Sequence, residues 1–83
     1  MRFVWDEENT AHLARHGIDP ALAERIFTAQ DRLMFAAENG PSRFIVEGTV
    51  GGKIYRLVFA LAGPDLVYPI TAFRIPRNRR RKA

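Results

Sequence analysis

The stretch Arg43–Leu61, RFIVEGTVGGKIYRLVFAL, decides the fold. Two runs of β-branched and aromatic residues flank Gly51-Gly52, the chemistry of a two-residue hairpin turn whose central positions need positive φ. With that pair at the centre, residues that face each other have numbers summing to 103: Glu47 with Arg56, Ile45 with Val58, Arg43 with Ala60. Side chains alternate along a strand, so Phe44, Val46, Tyr55, Leu57, Phe59 and Leu61 share one face, and Arg43, Glu47 and Arg56 share the other. The aromatic face calls for a covering layer. The charged face is left open.

Working outward, Gly63-Pro64-Asp65 is a turn into a further strand, Leu66–Arg74. The same count puts Val67, Pro69, Thr71 and Phe73 on the charged face, with Leu66, Tyr68, Ile70 and Ala72 toward the core. Pro69 has no amide proton, which predicts a bulge or a sheet edge. On the other side, Asn39-Gly40-Pro41 separates the hairpin from a strand over Arg32–Ala37. Before that the period is helical. Asp19-Pro20 is an N-cap with proline at the first position, and Leu22, Ala23, Ile26 and Phe27 form one buried stripe. Asp6, Glu7 and Glu8 open an earlier helix that runs to His16 and stops at Gly17. Arg2–Trp5 is a short first strand. The order β-α-α-β-β-β-β predicts an α+β domain, two N-terminal helices packed on an antiparallel sheet, over residues 1–74, with a basic tail over 75–83.

Eighty-three residues support one small core. The absence of cysteine excludes a disulfide, a thiol nucleophile and a thiolate metal site. The longest apolar run, Leu57–Ala62, is far below the ~20 residues that span a bilayer, and the early acids exclude a signal peptide, so a cytoplasmic protein is expected. The net charge of +4 is unevenly spread. Residues 1–73 carry seven bases against all nine acids, whereas residues 74–83 carry six bases and no acid. Such an arm attracts polyanions with salt-dependent affinity; a solvated end that aids solubility is the plain alternative.

Arg43, Glu47 and Arg56 have two readings. One is an ordinary cross-strand ion pair on a wet face, worth about 0–1 kcal/mol. The other is a phosphodiester site, for which the planar guanidinium fork is suited because it binds two phosphate oxygens at once. His12 and His16 are spaced i, i+4, but the residues between them complete no metal-ligand pattern, so no metal is assigned. His16, beside Gly17, fits a helix end; His12 fits the surface or a nucleotide contact. Trp5 fits core or helix-staple packing better than base stacking.

Phe3-Val4-Trp5-Asp6, Arg15-His16-Gly17-Ile18, the Ala23, Ile26 and Phe27 stripe, Arg43-Phe44, Tyr55-Arg56-Leu57-Val58-Phe59 and Ile70-Thr71-Ala72 together resemble the BrnT-type toxins of the RelE/ParE superfamily. The resemblance spans nearly all of residues 2–74 and implies a metal-independent, cofactor-free endoribonuclease of a type II toxin-antitoxin pair. It implies two partners, RNA and a cognate antitoxin such as a ribbon-helix-helix protein, and leaves a homodimer open. Carried onto this chain, Glu47 is the candidate base, Arg43 and Arg56 the phosphate clamps. His12, Lys53, Arg74, Arg77, Arg79, Arg80 and Arg81 are candidate RNA contacts. The family pattern is broken by Asn9 in place of a lysine, His12 in place of an asparagine and Phe73 in place of an arginine. The tail also replaces an acidic, tyrosine-containing segment. A relative that binds RNA or its antitoxin without cleaving is the alternative.

Overall fold

The computed structural model describes residues 1–38 and 42–76. The expected turn at Asn39-Gly40-Pro41 and the tail positions Arg77, Arg79, Arg80 and Arg81 lie outside the described residues. Among the described residues seven elements follow the expected order: β1 (Arg2–Phe3), α1 (Glu7–Ala14), α2 (Pro20–Phe27), β2 (Leu33–Ala36), β3 (Arg43–Val50), β4 (Lys53–Gly63) and β5 (Leu66–Ile75). The sheet order is β1-β5-β4-β3-β2. The class is α+β with two helices on a five-stranded sheet, and the sheet is antiparallel except for β1, which joins β5 in parallel. That exception follows from the connection. Both helices lie between β1 and the hairpins, which lets the chain return to run beside β1 in the same direction.

Local chemistry fixes the helix ends. The Asp6 carboxylate accepts from the Asn9 N–H while the Asn9 side chain accepts from the Asp6 N–H, a reciprocal cap. Asp19 caps α2 through the Leu22 N–H, with Pro20 at the first turn. Gly17 takes φ 74°, and the Ile18 N–H bonds back to the Leu13 carbonyl, so α1 ends on two buried anchors.

The hairpin register is the one expected, with Glu47 opposite Arg56, Ile45 opposite Val58 and Arg43 opposite Ala60. Val46, Leu57 and Phe59 are buried beneath the helices with Leu13, Ile18, Ala23, Ile26 and Phe27. Each large apolar side chain so buried contributes about 1.5–3 kcal/mol. The Phe27 ring stands edge-on to both Phe3 and Phe59, at 5.2 and 5.3 Å between centroids. Gly48 lets the end of α2 and the residues after it sit this close, because a Cβ there would lie 3.0 Å from the Ile26 carbonyl and 2.7 Å from the Ala29 Cβ.

Two expectations for this layer need correction. Val67 and Pro69 are buried in the core rather than on the charged face, and Leu61 is 46% exposed. Leu61 keeps the side shared by Leu57, Phe59 and its partner Val67 but stays exposed near the end of β4. The inward turn of Val67 and Pro69 comes from a pair of register shifts between β4 and β5. One falls between Leu61 and Gly63 and turns Val67 and Pro69 inward; the other falls between Val58 and Phe59, opposite Ile70, and restores the original count. Thr71 and Phe73 therefore stand on the open face as expected, opposite Val58 and Arg56, and Ala72 lies in the core.

Candidate functional site

The open face is built in cross-strand rows. One row runs Leu33, Glu47, Arg56, Phe73, and the next runs Phe35, Ile45, Val58, Thr71. A third contains Arg43, Ala60 and Tyr68. A groove of about 550 Å³ lies over these rows; Arg43, Arg56 and Glu38 are its charged lining residues, Phe35, Ile45 and Val58 its larger apolar ones, and Thr71 adds a hydroxyl.

Glu47 and Arg56 are in direct contact. Arg56 Nε and Nη2 donate to the same Glu47 oxygen, Oε2, at 2.8 and 2.5 Å. The Glu47 side chain is 10% exposed and that of Arg56 36%, so the carboxylate is sunk in the sheet and the guanidinium lies over it. Glu47 Oε1 accepts no hydrogen bond among the described residues, which leaves one oxygen for a proton. Arg43 is on the same face but stands apart. It is level with Ala60, four residues from Arg56, or roughly 14 Å along the strand at ~3.4 Å per residue. The expected trio shares a face; only two of its members touch. The groove thus joins two guanidiniums, one carboxylate and an apolar floor, a lining in which bases can stack and phosphates can pair with arginine.

Other candidates fall elsewhere. Arg74 is level with Tyr55, and Lys53 precedes Tyr55 by two, so alternation sends both to the opposite side from Arg56. These two cations do not join the groove. His12 is exposed and lines a separate cavity of about 210 Å³ with Glu8, Asn9, Tyr68 and Ile70. Trp5 packs against the core and donates from Nε1 to Glu24 Oε2 at 3.0 Å, a packing role. Among the described residues no group of three His, Cys, Asp or Glu could hold a metal ion, and no helix is long and apolar enough to cross a membrane.

Three residues acquire roles that the sequence did not suggest. Asn9 is 2% exposed and donates from Nδ2 to the carbonyls of Val4 and Pro69, both at 3.0 Å, so it stitches β1, α1 and β5 together. Position 9 therefore belongs to the scaffold, not to the open face. Tyr68 donates to Asp6 Oδ2 at 2.9 Å. The Asn9 N–H and the Tyr68 hydroxyl hold the Asp6 carboxyl below its ordinary range, and the same bond pushes the Tyr68 hydroxyl up. His16, read from the sequence as a helix end, brings its ring to 6.3 Å from that of Phe73 and lies 6.0 Å from His12. Only the register of β5 could have revealed that contact.

Among solved structures the chain is similar to the Brucella abortus ribonuclease toxin BrnT, with a TM-score of 0.72 and 24% identity over 92% of this chain and 97% of that one. The fold is therefore that of BrnT. No protein-family model matches the chain. No curated protein matches it either.

Proposed function

We propose that this chain is a metal-independent endoribonuclease acting on its open sheet face, the toxin half of a type II toxin-antitoxin pair in the cytoplasm. The observation that carries the reading is the Arg56–Glu47 pair on the face that the helices leave uncovered, with Arg43 across the same groove. The fold shared with a ribonuclease toxin supports it.

In this mechanism the free oxygen of Glu47 accepts the proton of a ribose 2′-hydroxyl, and that oxygen attacks the adjacent phosphorus. Arg56 lies against Glu47 and so is placed to neutralise the charge that builds on the phosphoryl oxygens, where a preorganised cation is worth most. Arg43 holds a neighbouring phosphate. The Arg/Lys tail, the exposed cations Lys53 and Arg74 and His12 add affinity for RNA outside the groove. A cognate antitoxin, of ribbon-helix-helix type, would silence the site by covering this face.

A second reading is favoured by one observation: Phe73 occupies the position beside Arg56 where the resemblance implies a third cation. On that reading the groove binds RNA without cutting it. Incubating the purified chain with RNA in EDTA separates the two. Cleavage by the parent that is lost in Arg56→Ala supports the nuclease. Binding without cleavage, lost when the chain ends at Pro76, supports the binder. No cleavage by the parent in EDTA refutes the first reading.

A further inference from the structure

We propose that the free edge of β2 is the interface of a homodimer, in which two copies of this chain pair their β2 strands antiparallel and join their sheets into one.

The sheet ends in β1 on one side and β2 on the other. β1 is two residues long, so β2 is the longer of the two edges. Leu33-Met34-Phe35-Ala36 carries no charge and no proline, and its ladder with β3 runs without a shift from Leu33 opposite Glu47 to Ala36 opposite Phe44. Charges, prolines and bulges are what normally keep a free edge from pairing. The side chains are bare on both faces, with Leu33 55%, Met34 47% and Phe35 43% exposed. The main chain is equally open. The Ala37 N–H donates to the Arg43 carbonyl, so the odd-numbered residues bond inward to β3, and Met34 and Ala36 turn their N–H and C=O groups outward. Among the described residues those outward groups have no partner.

A second copy is the occupant because this edge complements itself. Outward groups meet outward groups, and the register that uses both residues sets Met34 of one copy opposite the partner's Ala36, so that facing residues have numbers summing to 70. Each Met34–Ala36 pair then exchanges both of its N–H···O bonds. Phe35 meets the partner's Phe35 on the two-fold axis, with Cβ atoms ~4.5–5.5 Å apart. Arg32 and Glu38 stand three residues to either side of Phe35, so Arg32 comes level with Glu38 of the partner subunit at both ends of the contact. Both are exposed, and neither forms an ion pair within its own chain among the described residues. The Arg32 guanidinium is engaged only through Nη1, which donates to the Ala29 carbonyl at 3.3 Å. Like charges at the two ends would make such an edge repel its own copy; opposite charges attract it. Pairing closes at two copies, since an isologous contact uses up the edge that forms it.

The two-fold axis stands upright on the sheet, so both open faces look the same way. Phe35 lines the groove, and the partner's Phe35 extends that wall beyond the sheet edge. The two grooves become neighbours on one surface, and a polyanion leaving one over Phe35 passes onto the other. The dimer stands whether or not this face cleaves RNA.

The test is sedimentation velocity of the full chain alone, from low to several hundred micromolar, with circular dichroism to show that each variant is folded. The parent should show a reversible monomer–dimer equilibrium with no larger species. Arg32→Glu and Glu38→Arg each put like charges at both ends of the contact, and each should raise the dissociation constant at least about tenfold. An equimolar mixture of those two variants should pair within a few-fold of the parent, because every end of the mixed dimer again joins opposite charges. Met34→Pro removes an outward N–H that β3 does not use, so it should weaken the dimer while the fold survives. A parent that stays monomeric at every concentration overturns the proposal and leaves the edge to a strand of another protein. So does a dimer that neither charge reversal weakens, or a mixture no tighter than its components.

Discussion

Replacing Asn9 by alanine tests the claim that this position is scaffold. The Asn9 side chain makes three hydrogen bonds to the main chain, one accepted from the Asp6 N–H and two donated to the Val4 and Pro69 carbonyls. Each contributes about 0.5–1.5 kcal/mol net, and a buried group left without a partner loses more, so Asn9→Ala should cost about 2–4 kcal/mol. A chain of 83 residues has roughly 4–12 kcal/mol in all. The loss is large on that scale. Trp5 is the single tryptophan and packs on the core, so its fluorescence in a urea titration reports unfolding. With a slope near ~1 kcal/mol per molar for a small domain, the midpoint should fall by about 2 M or more. Asn9→Asp should be at least as damaging, since it sets a carboxylate against two carbonyl oxygens. A midpoint in Asn9→Ala that moves by less than about 0.5 M would refute the assignment of Asn9 as the stitch between β1, α1 and β5.

Gly48→Ala should destabilise by about 1–3 kcal/mol in the same titration, because the new methyl meets the Ala29 Cβ at 2.7 Å and the Ile26 carbonyl at 3.0 Å. The Asp6–Tyr68 bond should shape stability at both pH extremes. The lowered Asp6 carboxyl stabilises above its unfolded value, and this is lost as pH falls through the lower folded one. The raised Tyr68 hydroxyl stabilises below about pH 10, and this is lost as pH rises through its folded value. Tyr68→Phe should therefore flatten the alkaline limb of a melting-temperature profile and shrink the acid limb, while leaving the Asn9 contribution to the latter. Arg56→Met alone should be less stable than the Glu47→Gln/Arg56→Met double variant, since only the single variant leaves a sunken carboxylate unpaired. Thermal melts of the three proteins check that order.

The hairpin from Arg43 to Leu61 was readable because a glycine pair sets register locally and an alternating pattern then assigns every side chain to a face. The caps at Asp6 and Asp19 and the stop at Gly17 were equally local. What escaped depends on distant partners. Asn9 finds Pro69, and His16 finds Phe73, only after β5 docks beside α1. The inward turn of Val67 and Pro69 escaped because two register shifts, both on the β4–β5 ladder, are not encoded in any short stretch; Pro69 signalled an irregularity without stating its phase. At the site, the shared face of Arg43, Glu47 and Arg56 was legible from parity alone, whereas the gap between Arg43 and the other two needed the row positions.

The cancelling shifts in β5 have a consequence for how the chemistry of this surface could change. Val67, Tyr68 and Pro69 alone are re-phased, so the strand rejoins its original count before it passes Arg56. A variant that kept only the first of the two slips would carry the half-turn onward to the strand's end. Arg74 would then rotate toward Arg56 and Phe73 would drop inward among the apolar side chains. Ile70, the extra residue opposite the Val58–Phe59 step, thus sets the phase of everything after it, and with it whether an aromatic or a cationic side chain stands beside Arg56.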